Sequence, residues 1–472
     1  MDQFVPLIVD LDGTLIKTDL LYESYFHTIA QGVPHHLKLL TCLRKGKAHL
    51  KRFLATVGRL DYAQLPYDDA VLDLIQAARE QGQPVYLASA CDAQHADAIA
   101  AHLGVFEGVF ASDGTTNLSG AVKAKVLVDR FGAQGFDYVG NGTADLAVWA
   151  EARKAYYIRA SNRLERRLGQ IGVPTRCLNQ TPVSLRSWIK AIRVHQYAKN
   201  TLVFVPLLTA HDFSLTAIMR AILAFAAFSA CASGIYLVND LVDLGADRQH
   251  PKNRGRPFAS GEIPIAQGLL AAFLLTGLAA CLALLITPSF AGILAAYLAL
   301  TTAYSLSLKR KMIIDTVVLA LLYTMRIIGG AASIGVPTSE WLLAFSMFIF
   351  LSLALMKRYV ELATRIDGGL LDPGNRDYKL GDTSIVAALS AASGFNAVTI
   401  FSLYIASPSV QALYSRPSLL WLMCPILIYW IGRALMLAHR RIMDDDPIVF
   451  AIRDRISLLT VALMIVIVVA AI

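Results

Sequence analysis

The sequence predicts two unlike domains, an α/β domain with a helical cap over residues 1–160 and an all-α polytopic membrane domain of about nine spans over 201–472. A linker carrying an interfacial amphipathic helix, 161–200, joins them. Three observations lead there. A chain of 472 residues exceeds one ordinary soluble domain. Charges occur at globular density up to about residue 200, whereas apolar runs fill the remainder and bring the hydrophobic share to 56% and the mean hydropathy to +0.51. An early apolar strand, "LIVDLDGTL" (7–15), ends in two aspartates two residues apart.

In chain order, that strand is followed by a helical stretch at about 16–75, fit to cover its end. A second apolar strand, "VYLASA" (85–90), ends near Ser89, then come "AVKAKVL" (121–127) and "YVGNGTADLAVWAEA" (138–152). The N-terminus has no basic region leading into an apolar core, so no signal peptide is expected and this domain should stay in the cytosol. Six cysteines without metal-like spacing read as reduced, structural thiols. The segment "SLRSWIKAIRVHQYAK" (184–199) alternates basic and apolar residues. It should lie in the headgroup plane, anchored by Trp188 and Tyr197, with Arg186, Lys190 and Arg193 toward phosphates.

Spans can be drawn at about 201–211, 216–238, 265–287, 290–307, 313–335, 340–356, 384–406, 418–438 and 456–472. The loops at 239–264, 308–312, 357–383 and 439–455 carry four, three, five and four Lys or Arg, against the lone Arg416 in the opposite loops. This bias puts the charged loops in the cytosol, on an inner membrane protein, and explains the net charge of +8 without nucleic acid. A protein with its charged chemistry on one face is better suited to catalysis than to transport.

The stretch "NDLVDLGADRQHPKNRGRP" (239–257) holds the sharpest signal. Asp240, Asp243 and Asp247 recur at helical spacing on one face, where like charges repel unless a cation is shared. Hard oxygen ligands suggest Mg2+, which binds through one or two carboxylates plus substrate phosphates. Arg248, His250, Lys252, Arg254 and Arg256 follow at once and suit a diphosphate, and Asn239, just before Asp240, is a further candidate substrate contact. Arg326 lies inside an apolar span beside Gly329 and Gly330, where an unpaired cation would be expensive, so a functional partner is expected.

This pattern at the end of a membrane helix resembles the first aspartate-rich motif of the UbiA superfamily of intramembrane prenyltransferases, over roughly 185–472. Within it, "RVHQYAKN" (193–200), "DRQHPKNRGRP" (247–257), "YSLSLKRKMIIDTVVLALLYTMRIIGGA" (304–331), "KRYVEL" (357–362) and "DDPIVFAIRDR" (445–455) are similar to the branch that transfers phosphoribose to polyprenyl phosphate. The resemblance implies phosphoribosyl diphosphate and polyprenyl phosphate as substrates. Lys199, Tyr304, Lys309, Arg326, Lys357 and Arg358 are then candidate phosphate or substrate contacts, with a positive-inside anchor as the alternative for Lys309. Where aromatic prenyltransferases resemble one another in a second acidic motif, this chain has "LMKRYVELATRIDGG".

The N-terminal motifs in turn resemble those of the haloacid dehalogenase (HAD) superfamily. The resemblance implies Asp10 as nucleophile, Asp12 as general acid/base, Ser89 and Lys123 as phosphate-side residues with Lys125 as the alternative cation, and Asp10, Asp12, Asn141 and Asp145 around Mg2+. Asn141 stands where the superfamily's first motif-four acid would be. Three functions compete. One is phosphoribosyl transfer followed by removal of the 5-phosphate. The others are aromatic prenylation from an allylic diphosphate, and a non-catalytic regulatory HAD domain. Homo-oligomerisation is left open.

Overall fold

The computed structural model describes residues 5–30, 47–58, 60–113, 117–180, 182–251, 253–373, 376–443 and 447–472. Its backbone clusters into two units, 1–192 with 236–272, and 193–235 with 273–472.

In the first unit the elements are β1 (Leu7–Val9), α1 (Leu20–Ala30), α2 (Lys47–Val57), α3 (Asp69–Glu80), β2 (Val85–Asp92), α4 (Ala93–Leu103), β3 (Gly108–Ser112), α5 (Ala121–Phe131), β4 (Asp137–Gly140), α6 (Leu146–Trp149), β5 (Lys154–Ile158), α7 (Asn162–Gly169), β6 (Thr175–Asn179) and α8 (Leu185–Ala191). The six strands form one parallel sheet in the order β3-β2-β1-β4-β5-β6, with Leu7 opposite both Val85 and Asp137. β1, Leu-Ile-Val, is buried throughout, as a central parallel strand covered on both faces must be. Strand order reverses between β1 and β4, so the crevice at their carboxyl ends is where an open α/β sheet binds ligands. Asp10 follows β1 there and Asn141 follows β4.

The helices start and stop on local chemistry. Asp68 caps α3 by accepting the Ala70 amide, and Val71, Ile75 and Ala78 form its buried stripe. Asp92 caps α4, which ends at Gly104 with φ +62°. Trp149, Tyr138 and Phe136 are fully buried against the sheet. Truncating Trp149 to Ala would cost about 3–5 kcal/mol. The sheet runs on to Asn179, so the segment expected as a linker from 161 first supplies α7 and the edge strand β6. Its sequence, Thr-Arg-Cys-Leu-Asn, is half polar because an edge strand is half solvated, which hid it from a search for apolar runs.

In the second unit, residues Val194–Phe204 form 3-10 turns, followed by α9 (Val205–Thr209) and α10 (Leu215–Val242). The last turn of α10 and α11 (Leu244–Gln249) group with the first unit. Then come α12 (Ile265–Ile286), α13 (Pro288–Leu306), α14 (Ile314–Ile334), α15 (Glu340–Asp367), α16 (Thr383–Ala406), α17 (Pro408–Leu413), α18 (Met423–His439), α19 (Pro447–Arg453) and α20 (Arg455–Ala471). Among the described residues seven helices are long and apolar enough to cross a membrane, against about nine expected. The span expected at 201–211 is short 3-10 and α segments meeting at Pro206, and α20, at 17 residues, is a shorter apolar helix. Gly329 and Gly330 mark close packing on α14. A Cβ on Gly330 would lie 2.2 Å from the Val203 carbonyl oxygen, and one on Gly329 would lie 2.6 Å from the Phe228 ring. Only glycine permits that approach beside Arg326.

Candidate active sites

The first candidate site is a cavity of about 520 Å3 at the carboxyl ends of β1 and β4, lined by Asp10, Asp12, Ser24, His95, Lys123 and Asn141 among others. Asp10 is 7% exposed. Its Oδ1 accepts from Lys123 Nζ at 2.7 Å and its Oδ2 from the Thr14 hydroxyl at 3.0 Å. Burial pushes the Asp10 carboxyl up to about 6, opposed by Lys123 and reinforced by Asp145. For Lys123, burial would lower the pKa, but Asp10 and Asp145 outweigh it and raise it, so the lysine stays cationic. Lys125 is exposed, whereas Lys123 is the lysine that faces Asp10.

The Asp12 Oδ1 accepts the Leu20 amide at 2.8 Å, starting the cap helix α1 from the site itself. Asp145 is turned to structure. Its Oδ1 accepts from Tyr138 OH at 2.7 Å and its Oδ2 from the amides of Asn141 and Gly142 at 3.1 and 2.9 Å. Tyr138 also receives a bond from Lys123 at 3.0 Å, closing a chain from Asp10 to Asp145. Ser89 is fully buried and accepts the Cys91 amide at 3.0 Å, whereas Ala90, Cys91 and Asp92 line the cavity. Asn141 packs against the nucleophile turn: a Cβ on Gly13, whose φ is +72°, would fall 2.1 Å from Asn141 Nδ2.

The second candidate site is the acidic motif. Asp240 and Asp247 are 3% and 4% exposed. Arg256 Nη1 bridges them, at 3.4 Å from Asp240 Oδ1 and 2.7 Å from Asp247 Oδ2, and Asn253 Nδ2 donates to Asp247 Oδ1 at 3.0 Å. Asp243, half-buried, opens α11 at the junction with α10. Burial raises the Asp247 pKa against the pull of Arg256, and Asp240 and Asp243 add to the rise. Asn239 is half-buried and His250 exposed, while Lys252 lies outside the described residues. Arg248, expected to face a diphosphate, is instead turned to the cap helix. It donates to Glu23 from Nη1 and Nη2 at 2.9 and 2.6 Å and to the Ala259 carbonyl from Nε at 3.0 Å. Glu23 is 3% exposed, and burial without this partner would be expensive.

Among the described residues no three acidic, His or Cys side chains form a ready metal cage. The donor sets fit a cation that takes two protein oxygens and completes its shell from water and phosphate. Asp240 and Asp243 would hold it in the second site, with Asp247 joining directly or through water and Arg256 marking where a positive charge is already favoured. Asp10, Asp12 and the Asn141 carbonyl would hold it in the first, since the Asp145 oxygens are taken.

The second unit places the remaining expected residues. Arg326 is 4% exposed and donates to Asn200 Oδ1, the Leu322 carbonyl and Tyr297 OH at 2.8, 2.6 and 2.9 Å. It shares the Tyr323 face with Lys199, at 5.4 and 5.8 Å from the ring centre. The partner expected for this buried cation is thus the protein itself. Arg358, expected as a phosphate contact, is buried in a charge-balanced cluster. Its Nε lies 2.8 Å from Asp315 Oδ2 and its Nη1 donates to Glu361, while Arg376 reaches Asp315 and Glu361 at 3.3 and 3.4 Å. Tyr378 adds a 2.6 Å bond to Asp315. Lys309, Lys357 and Tyr304 are half-buried. The sequence search missed Asp315, a single acid in the apolar run "IIDTVV". A buried carboxylate there needed a cationic partner, which was the available signal.

With this geometry in place, the comparisons agree on the class. The UbiA prenyltransferase family profile matches residues 201–450, and the chain belongs to that family. An uncharacterized protein, y4nM, of Sinorhizobium fredii is 38% identical over 461 residues, 97% of this chain and 89% of that protein. The nodulation protein NoeC of Azorhizobium caulinodans is 36% identical over 285 residues, 59% of this chain and 91% of that protein. The decaprenyl-phosphate phosphoribosyltransferase of Mycobacterium tuberculosis is 36% identical over 194 residues, covering 39% of this chain and 63% of that protein. The chain is therefore an enzyme of a transferase family embedded in a membrane, with a parallel α/β domain at its N-terminus.

Proposed function

We propose that the protein transfers 5-phosphoribose from phosphoribosyl diphosphate to a polyprenyl phosphate at the cytosolic face of the inner membrane, and that its N-terminal domain then removes the 5-phosphate. The observation that carries the first half is the pair of buried carboxylates Asp240 and Asp247 bridged by Arg256, in a chain 36% identical over 194 residues to a decaprenyl-phosphate phosphoribosyltransferase. Asp240 and Asp243, with Asp247, would hold a Mg2+ there, and it would supply charge neutralisation for the diphosphate that leaves ribose C1. Arg256, beside these carboxylates, would contact the leaving diphosphate. A phosphate oxygen of the lipid forms the new bond to C1. It is already ionised at neutral pH, so no general base is required and positioning carries the rate. Lys199, Asn239, His250, Lys252, Tyr304, Lys309 and Lys357 remain candidate contacts for the two phosphate groups. The charge-balanced Arg358 cluster supports the donor loop's shape rather than a second acidic metal site, which disfavours aromatic prenylation.

The second half is supported by the Asp10–Lys123 pair, 2.7 Å apart at the end of β1 with Asp12 beside it. Asp10 attacks the phosphoryl group, the sugar hydroxylate leaves and takes a proton from Asp12, and water later hydrolyses the aspartyl phosphate. Tethering puts this site next to its substrate at high effective concentration. Purified protein given Mg2+, labelled phosphoribosyl diphosphate and polyprenyl phosphate should yield a labelled lipid. Turnover of an allylic diphosphate with an aromatic acid, and none of phosphoribosyl diphosphate, would refute the assignment.

A further inference from the structure

A further cavity in the first unit lies apart from the Asp10 pocket. It measures about 660 Å3 and is lined by Lys17, Asp68, Arg159, Arg186, Lys190 and Glu262, with Ser184, Ser187 and Asn179 among the polar groups between them. It shares no lining residue with the Asp10 cavity. We infer that it is a second phosphate-binding site, one that takes a phosphomonoester group and reports its occupancy to the nucleophile turn.

Charge supports the ligand class. Four cations and two carboxylates line the cavity, a net of +2 (4 − 2). A phosphomonoester carries about −1.5 to −2 at neutral pH. Both acids already have protein partners. Asp68 is paired with Arg159 at 2.5 Å, and Glu262 accepts from the Ser187 hydroxyl at 2.7 Å. Lys190 donates to the Gly255 carbonyl, and Arg186 has no ion-pair partner among the described residues, so its guanidinium is available for a bidentate contact. Arg186 and Lys190 sit four apart on α8 and so share one helical face.

Arg159 supplies the link to the catalytic turn. Its backbone is held at φ +50°, a conformation that costs a non-glycine residue about 1 kcal/mol or more and persists only where surroundings enforce it. From there Nη1 holds Asp68, while Nη2 donates to the carbonyls of Gly13 and Thr14 at 2.7 and 3.4 Å. Gly13 and Thr14 are the turn that aims Asp10, and Thr14 bonds that carboxylate directly. An anion drawing on Arg159 would therefore loosen or tighten the nucleophile turn without entering its cavity.

The test uses full-length protein in detergent micelles, following the fluorescence of Trp188 on α8, isolated by subtracting the Trp188→Phe signal. The titrants are inorganic phosphate and micelles doped with phosphatidic acid, with phosphatidylcholine micelles as the control. A saturable change is expected with a phosphate-bearing titrant. It should weaken at least tenfold in the Arg186→Ala/Lys190→Ala double variant and persist in Asp10→Asn. Hydrogen exchange at Gly13 and Thr14 should change with the same midpoint. Saturation by inorganic phosphate assigns a soluble ligand, and saturation by phosphatidic acid alone assigns a lipid headgroup. Both substituted side chains are exposed, and Arg186→Gln serves the same comparison if the double variant loses its fold. No saturable response, or a double variant that binds like wild type, overturns the inference.

Discussion

Two clusters of buried carboxylates in this chain have solved the same electrostatic problem differently. Around Asp10 the compensating cation, Lys123, is itself 3% exposed and bonded to Tyr138, so the charge balance is built into the packed interior. Around Asp240 and Asp247 the compensating cation is Arg256, whose side chain is 30% exposed and which comes from the turns after α11. A cation that can leave makes room for another. The difference teaches how each proposed role would use its site: the first would keep its acid fixed as a nucleophile, and the second would exchange its counter-ion for metal and diphosphate.

The largest expected break in that comparison is Asp10→Asn. It should lower phosphatase turnover by on the order of 10^3-fold or more, as loss of a covalent nucleophile does, while transfer continues. Mass spectrometry of the lipid product would then find the phosphorylated sugar lipid accumulating. If wild type and variant make the same phosphorylated lipid with no other phosphatase present, the N-terminal domain does not act on this product. Next comes Asp240→Asn, or Asp243→Asn, expected to reduce transfer by about 10^2-fold or more through lost metal and diphosphate stabilisation, with hydrolysis of a small phosphate ester unchanged. Equal loss of both activities in a folded variant would show that the two sites are not separate.

Arg256→Gln sharpens the comparison through stability. Without metal it leaves two buried carboxylates unbalanced and should cost about 1–3 kcal/mol, read as a lower unfolding temperature in EDTA. Added Mg2+ should restore most of the loss, whereas the matching Lys123→Gln change should not be rescued to the same degree. Rescue of neither, or of both alike, would remove the distinction between a fixed and an exchangeable cation. The smallest effect concerns His95, which is 3% exposed and bonded by Ser24 at 3.1 Å and Tyr62 at 3.0 Å. Burial lowers its pKa below the usual 6.5, with Asp92 opposing. The unfolded chain then binds the proton more readily than the folded one, so stability should fall as pH drops through 6.5. A His95→Gln variant should show a shallower decline in unfolding temperature between pH 7 and 5.5, and an unchanged slope would assign the acid sensitivity elsewhere.

Local chemistry was enough to single out both candidate sites. Two aspartates after a buried apolar strand, and three more at helical spacing where a membrane helix ends, are patterns that charge repulsion makes costly unless a function needs them. The same holds for the glycine pair beside Arg326, whose close approach to Val203 is a contact only glycine allows. Residues 161–179 read as linker because β6 is an edge strand, and its half-polar sequence lacks the signature of the buried strands.

What the sequence by itself determined, then, is the division into an α/β domain and a membrane domain and the identity of the candidate acids, because periodicity, hydropathy and like-charge spacing are properties of neighbours along the chain. Which cation answers which acid was decided only by the tertiary structure. Arg248 went to Glu23, 225 positions away, instead of to a diphosphate, and Arg358 went to Asp315 and Glu361 instead of to a substrate phosphate. Pairing of buried charges depends on which elements pack together, since desolvation makes an unpaired ion intolerable wherever the fold happens to bury it.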